Sequence, residues 1–515
     1  MAIEFHRDGP WLLPEGWVWA RLGQLGRWTG GGTPSKANAA FWTNGTIPWV
    51  SPKDMKVDVI GKTEDFITRD AVINSSTKLV TNNSILMVVR SGILNHTFPV
   101  ALCDRDVTLN QDMRALTPLD GIDARYLTFV LRRLQRHILE ECSKDGTTVA
   151  SVEPALLEQV WVPIPSTVEQ RRIVARIDEL FTEIIDGETV LTRARDELDT
   201  WRRALLKAAV TGGLTREWRE YNKPNETGED VVERLRKAVT QAVGPIARGG
   251  RRAMVEDQIE VDLANLPELP SGWCWSRIGE IGYISGGLTK NPARADIKRK
   301  LPFLRVANVQ YGELDLAEMH EIGVSDAEIN RVLLQLNDLL IVEGNGSVDQ
   351  IGRCAIWTGE IAQCVHQNHL IKARFGDAEI ALWAFHWLMS PHGRQLVTTV
   401  ASSTSGLHTL SISKIQAIPV PIPPIVEIRE ILKVLSVETD AEGTVEIELG
   451  AAAKAITSMR QALLKAAFEG RLVEQDPRDE PAEKLLSRLN DGAAQYAPGR
   501  SHRGRRARVT FGAEA

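Results

Sequence analysis

Apolar residues follow two rhythms along this chain, and each rhythm occurs twice. The first is a series of short apolar runs bounded by turn residues. "TIPWV" (Thr46–Val50), "SILMVVR" (Ser84–Arg90) and "PVALC" (Pro99–Cys103) predict short buried strands. "DARYLTFVLRRLQRHILEE" then places Leu127, Val130, Leu131, Leu134 and Ile138 at i, i+3, i+4, i+7 and i+11, one core-facing helical stripe. The later half offers counterparts in "LPFLRV" (Leu301–Val306), "DLLIVEG" (Asp338–Gly344) and a helix through "IALWAFHWL" (Ile380–Leu388). Each series predicts a globular mixed α/β (α+β) part.

The second rhythm is a heptad. Ile173, Ile177, Leu180, Ile184, Gly187, Leu191, Ala194, Leu198, Trp201, Leu205 and Ala208 advance by four and three without a break. That spacing belongs to a helix packed along another helix. Pro163 and Pro165 block helix before it, and Gly212 and Gly213 are stop signals after it. The seam returns as Ile431, Leu435, Val445, Leu449, Ala452, Ile456, Met459, Leu463 and Ala466, weakened by Glu438 and Glu442. At ~1.5 Å per residue, residues 173–208 span about 54 Å. Such a helix needs a partner, and its duplicate is the simplest one. An antiparallel pair gives a pseudo-two-fold with the globular parts at opposite ends; a parallel pair puts both at one end.

Direct sequence matches support the duplication. "LPEGWVWARLG" (Leu13–Gly23) returns as "LPSGWCWSRIG" (Leu269–Gly279), "VPIP" (Val162–Pro165) at Val420–Pro423, and "RRALLKAA" (Arg202–Ala209) as "RQALLKAA" (Arg460–Ala467). The repeating unit is roughly 257 residues. The expected organisation is a first globular domain over 1–165, a long helix over 166–220, and a polar linker with one short helix over 221–268. A second globular domain over 269–422, a second long helix over 423–475 and a tail over 476–515 follow. The tail carries a short helix, then an arginine-rich stretch expected to be disordered, with a nucleic-acid arm as the sharper reading.

Composition narrows the class. The 515 residues are 43% hydrophobic and 25% charged, ordinary for a globular protein. No apolar run nears the ~20 residues of a membrane span, and the N-terminus lacks the layout of a signal peptide, so a cytoplasmic protein is expected. Five cysteines without a CxxC pair argue against a disulfide framework or zinc knuckle. The net charge of −6, from 61 basic and 67 acidic residues, counts mildly against autonomous DNA binding.

As a set, the paired "LP-GW-W" blocks, "GGGTPSK" (Gly30–Lys36), "GTIPWVSPKDM" (Gly45–Met55), "TLNQDMRAL" (Thr108–Leu116), "VPIPSTVEQRRIV" (Val162–Val174) and "RRALLKAAVTGGL" (Arg202–Leu214) resemble the specificity subunit of type I restriction-modification systems. The resemblance covers nearly the whole chain. It implies that each globular part is a target recognition domain reading one half of a split, asymmetric double-stranded DNA site. It implies two helices in an antiparallel coil that sets the spacer and docks two methyltransferase subunits, with two motor/nuclease subunits in the full complex. The chain itself is then expected to be non-catalytic and to bind no cofactor, with S-adenosylmethionine, ATP and Mg on the partners. The residues agree. "NPAR" at Asn291 lacks the aromatic of an NPPY-like tetrapeptide, and no GxxxxGK[ST] loop exists. The competing reading is a structural adaptor that bridges two proteins without reading DNA.

Candidate DNA contacts follow from loop chemistry. Thr33, Ser35 and Lys36 combine hydroxyls and an ammonium with backbone freedom, and Thr289, Lys290 and Asn291 are their counterparts. Arg90, Ser91, Asn95 and His96 leave a buried strand; Asn345, Ser347 and Gln350 stand at the matching place. Arginine and asparagine are the side chains that read guanine and adenine bidentately. Lys53 and Arg305 complete the set. Asn110, Gln111 and Asp112 are read first as a structural hydrogen-bond network. His366 and His369 in "VHQNHL" have no third ligand nearby, so no metal is expected. Arg125, Arg132, Arg133 and Arg136 are read as a solvated helix face. Arg171, Arg172, Arg202, Arg203, Lys207 and Lys465 flank the seams and are the candidates for docking the methyltransferase, while Trp201 is read as seam packing.

Overall fold

The repeated sequence blocks are strand partners. In a computed structural model, Val18–Arg21 pairs antiparallel with Trp161–Ile164, Trp19 facing Pro163. Cys274–Arg277 pairs in the same way with Pro419–Ile422, Trp275 facing Pro421. The prolines sit where a missing N–H is harmless. Trp161–Ile164 is the outer strand of a three-stranded sheet, and Pro419–Ile422 belongs to a sheet of two. Gly16 and Gly272 adopt φ of +86° and +87°, which explains the glycine that precedes each leading tryptophan.

The structure describes residues 3–144, 149–243, 266–345, 347, 350–404 and 407–495, with backbone alone for residues 242, 243, 345, 402–404, 407, 408 and 492–495. Most of the linker and the arginine-rich stretch 496–515 lie outside the described residues. The chain divides into two compact units, Met1–Leu191 with Ala451–Ala515, and Thr192–Gly450. Both divisions fall inside a long helix, so each unit draws on parts of both.

In the first unit, a five-stranded sheet runs in the order Gly26–Gly30, Met113–Pro118, Ile85–Val88, Val100–Cys103, Val59–Ile60. The middle strand is wholly buried, as its unbroken apolar run predicts. The expected Asp123–Glu141 helix forms as two, Ala124–Arg133 and Gln135–Cys142, turning at Leu134. The stripe survives the turn: Leu127, Val130, Leu131, Leu134 and Ile138 all join the core. Asp123 caps the first helix through the N–H groups of Arg125 and Tyr126. Tyr126 Oη donates to Pro163 O at 2.9 Å.

In the second unit, a four-stranded sheet is ordered Gly282–Gly286, Leu370–Phe375, Asp338–Val342, Cys354–Trp357. The helix Ala378–Met389 buries Trp383 and Trp387, which donate to Pro421 O and Pro419 O at 2.6 and 2.8 Å. The proline-rich strand thus offers its carbonyls to the covering helix in both units. A buried lysine closes the other side. Lys372 Nζ donates to Arg331 O (2.7 Å) and Leu333 O (3.2 Å), at the carboxyl end of the helix Asp326–Val332. Burial, reinforced by Arg374, lowers its pKa to about 7. In the unfolded chain this lysine keeps its proton up to about 10.5, so between these values the unfolded state binds more protons. Stability of this unit is therefore expected to rise as pH climbs from about 7 to 10. Lys372→Met is expected to flatten that slope in urea titrations across the range.

The long helices are Thr167–Val210 and Ile425–Phe468, 44 residues each, or about 66 Å at ~1.5 Å per residue. Each ends on a left-handed glycine, Gly212 (φ +72°) and Gly470 (φ +69°), followed by an N–H returning to Ala208 O and Ala466 O. Between residues 191 and 200, only Leu191, Ala194 and Leu198 are less than fully exposed, which is the heptad seam. Trp201 departs from it and is 38% exposed. The neighbouring Arg202 pairs with Glu442, which is buried and takes the place an apolar seam residue would occupy. In the first unit, Arg460 meets Glu188 at 3.3 Å, and Gly187 faces Ile456.

The leading tryptophans explain the openings. Trp17 Nε1 donates to the Glu169 carboxylate at 3.0 Å, and Gln475 Nε2 donates to its other oxygen at 2.6 Å. Burial is the main cause that raises the Glu169 pKa. Trp273 Nε1 donates to Glu427 at 2.9 Å, with Thr215 and Arg219 on the remaining oxygen. Each opening is thereby tied to the start of its own long helix and to the segment that follows the other one. Short helices complete both arrangements. Gly228–Val243 anchors through Gly228 N to Gly272 O, and Ala482–Gln495 through Ala482 N to Gly16 O.

Candidate nucleic-acid interface

In each unit the end of the buried central strand lies beside the turn that enters the next strand, and four backbone hydrogen bonds fasten them in the same way, with a fifth, from Arg90 N, in the first unit. In the first unit, Val89 N and Arg90 N both donate to Asp112 O, at 2.9 and 3.2 Å. Asn110 N donates to Val50 O, Gly32 N to Leu109 O, and Val152 N to Val89 O. In the second, Glu343 N donates to His369 O, Gln367 N to Leu304 O, Leu288 N to His366 O, and Leu410 N to Glu343 O. The frame is the same and the side chains are not. Asn110, Gln111 and Asp112 give way to Gln367, Asn368 and His369, and Val89 gives way to Glu343.

The first frame opens into a cleft of about 370 Å3 lined by Pro52, Arg90, Ser91, Gly92, Gln111, Asp112 and Val149. Arg90 is exposed, and its guanidinium has no partner among the described residues. Ser91 Oγ accepts from Ile93 N and caps the short turn Gly92–Asn95; the side chains of Asn95 and His96 are exposed beyond it. Asn110 is buried, its Oδ1 accepting from Asp112 N at 2.9 Å. Gln111 bonds Thr33 Oγ1 and donates to Asp112 Oδ2 at 3.3 Å. Ser35 and Lys36 stay on the exposed surface of their turn. Lys53 instead pairs with Glu64 at 3.2 Å, a contact that holds its ammonium above the ordinary lysine range.

The second frame is more closed. His369 Nδ1 meets Glu343 at 2.9 Å, and Asn368 Nδ2 contacts the same ring at 3.3 Å. Gln350 accepts from Arg353 (2.8 Å), whose Nε donates to Val309 O, and Ser347 O accepts from Gln350 N. The side chain of Asn345 lies outside the described residues. Asn291 caps its own turn by accepting from Arg294 N, and Thr289 O accepts from Arg294 Nε. Lys290 is exposed. Arg305 meets Glu318 at 3.4 Å. His366 is buried, its Nδ1 against Leu370 O, and burial lowers its pKa to about 3. Among the described residues no cluster of three histidine, cysteine or acidic side chains suits a metal ion.

Most of the basic helix face is internally paired: Arg125 with Asp178, Arg132 with Asp58, Arg136 with Glu140. On the long helices, Arg172 pairs with Asp479 at 2.7 Å, Arg202 with Glu442, and Lys465 with Glu469 at 4.0 Å. Arg203 donates to Asp199 O. Arg171 and Lys207 are exposed with no partner among the described residues.

Comparison with known proteins places this arrangement. Residues 14–191 match the family described as the type I restriction modification DNA specificity domain. The EcoR124I/EcoR124II specificity subunit of Escherichia coli is 44% identical over 179 residues, 35% of this chain and 44% of that one. The EcoKI specificity subunit of Escherichia coli (strain K12) aligns at 23% identity over 491 residues, 94% of both chains. Nearly the whole chain is thus similar to type I restriction enzyme specificity subunits, and residues 14–191 carry that family's domain. A solved chain from a study of assembly and conformational transition of the type I R-M system shares the fold, with a TM-score of 0.61 at 17% identity, covering 90% of this chain and 100% of that one. The EcoR124I/EcoR124II alignment spans less than half of that relative's length. No helix among the described residues is long and apolar enough to cross a membrane.

The sequence reading of Asn110, Gln111 and Asp112 as a hydrogen-bond network agrees with their contacts, while the cleft that Gln111 and Asp112 also line is not visible in sequence. Only Asn110 is buried there; its two neighbours line the cleft. At the matching point the structure joins Glu343, Asn368 and His369 into one polar group, a contact between distant segments that sequence does not show. Sequence does show that "NQD" and "QNH" occupy the same place in the two copies with different chemistry.

Proposed function

We propose that this chain is the non-catalytic DNA-reading subunit of a type I restriction-modification complex, each unit reading one half of an asymmetric bipartite duplex site. The observation that carries this reading is the pair of matching backbone frames bearing unlike polar side chains. One scaffold used twice with different donors and acceptors suits two different half-sites. The long helices form an antiparallel coiled coil that sets the spacer and docks two methyltransferase subunits, with two motor/nuclease subunits in the complete assembly. Support for antiparallel pairing comes from Glu188 with Arg460 in the first unit and Arg202 with Glu442 in the second: along the first long helix the partner number falls as its own number rises. S-adenosylmethionine, ATP and Mg belong to the partners, and the complex works in the cytoplasm.

Selection from a random duplex library by the chain with its methyltransferase partner tests the reading. The expected product is a two-part consensus with unlike halves and a fixed gap. Recovery of no consensus contradicts it and favours the adaptor. The ruler has its own test. Seven residues inserted within Leu191–Leu198, and seven within Leu449–Ala452, preserve the heptad and add about 10 Å. The selected gap is expected to grow by about three base pairs at ~3.4 Å each. An unchanged gap contradicts a coil that measures the spacer.

A further inference from the structure

We propose that Arg90 and Asp112 together read one G·C base pair in the major groove of the half-site bound by the first unit; this rests on the DNA-reading function above. Two opposite charges are mounted on neighbouring backbone, since Arg90 N donates to Asp112 O at 3.2 Å. No ion pair joins their side chains. The Arg90 guanidinium is exposed without a partner among the described residues, and Asp112 takes one weak side-chain bond, from Gln111 at 3.3 Å. The two side chains do not close on each other, and both line the cleft.

The mount is rigid, the Arg90 tip is free, and one carboxylate oxygen of Asp112 stays open. Asn110 Oδ1 holds Asp112 N at 2.9 Å, Asp112 O takes both Val89 N and Arg90 N, and Thr33 restrains Gln111, which in turn restrains Asp112. Fixed supports of this kind are what base discrimination requires.

The pairing of charges selects the ligand. A carboxylate facing DNA meets repulsion from every phosphate, so an aspartate belongs in such a cleft only if it meets an amino group on a base edge. Cytosine N4 presents one, and guanine N7 and O6 beside it present the two acceptors a guanidinium bridges. A G·C pair therefore satisfies both side chains. An A·T pair also presents an amino group, adenine N6, but it lies between the N7 and thymine O4 acceptors, so no two adjacent acceptors face the guanidinium and the thymine methyl meets the cleft. In the second unit the matching point carries His369 already joined to Glu343, so the same pair is not expected at its half-site.

The test is the methylation motif written by the full chain with its methyltransferase partner, compared for wild type, Arg90→Ala and Asp112→Asn. Both variants are expected to relax the same G·C position, lowering discrimination there by about tenfold or more, while the other half-site and the gap stay fixed. Continued methylation of the rest of the motif shows that the variants fold. A motif unchanged in both variants, or relaxation at an A·T pair, overturns the assignment while leaving the DNA-reading function standing. A wild-type chain that directs no motif overturns both.

Discussion

Glu427→Ala is expected to destabilise the second unit by about 3–5 kcal/mol, the usual consequence of removing one member of a buried ion pair. Glu427 is 1% exposed and accepts from the Trp273 indole, the Thr215 hydroxyl and the Arg219 guanidinium. Alanine removes the shared acceptor of all three donors; Arg219 keeps Gly212 O and Thr215 Oγ1 but loses its counter-charge, while the buried Trp273 indole loses its partner. Glu427→Gln keeps the shape and most of the acceptor geometry, so a smaller loss, about 1–2 kcal/mol, is expected. Urea unfolding followed through tryptophan fluorescence reads both variants. A loss under about 1 kcal/mol for alanine would show that the network does not hold the opening to the helices.

Truncation after Glu474 is expected to unfold the first unit and spare the second. The cut removes Gln475, which bonds Glu169, and Asp479, which bonds both Arg172 and Ser166. It also removes Leu485 and Leu486, both members of the first unit's core. Loss of a buried leucine side chain alone costs about 2–5 kcal/mol, so the sum approaches the whole stability of a typical domain. Hydrogen exchange reads the outcome segment by segment: amides in Ile85–Val88 are expected to lose protection while those in Asp338–Val342 keep it. Retained protection in Ile85–Val88 would contradict the role given to the terminal segment.

Much of this was legible in the sequence because local chemistry decided it. Continuous apolar runs became buried strands within one or two residues of their expected ends, and the helical stripe stayed buried across an unforeseen turn at Leu134. Gly212 stopped its helix by the left-handed route that glycine allows. What escaped depended on partners distant in sequence. Trp201 fits the heptad yet is exposed, because Arg202 and the buried Glu442, 240 residues away, meet at the seam instead. Lys53 and Arg305 look like free cations in sequence, but Glu64 and Glu318 pair with them through folded loops. The three residues of "NQD" share a composition and split by burial, which no local pattern reveals.

The central claim is that this chain selects the DNA site at which its partners act. Single-molecule sequencing of adenine methylation tests it most directly, on plasmid DNA from cells expressing the cognate methyltransferase with and without this chain. The account predicts methylation at one split asymmetric motif that disappears when the chain is omitted. Methylation that is absent with the chain, or unchanged without it, would contradict the account.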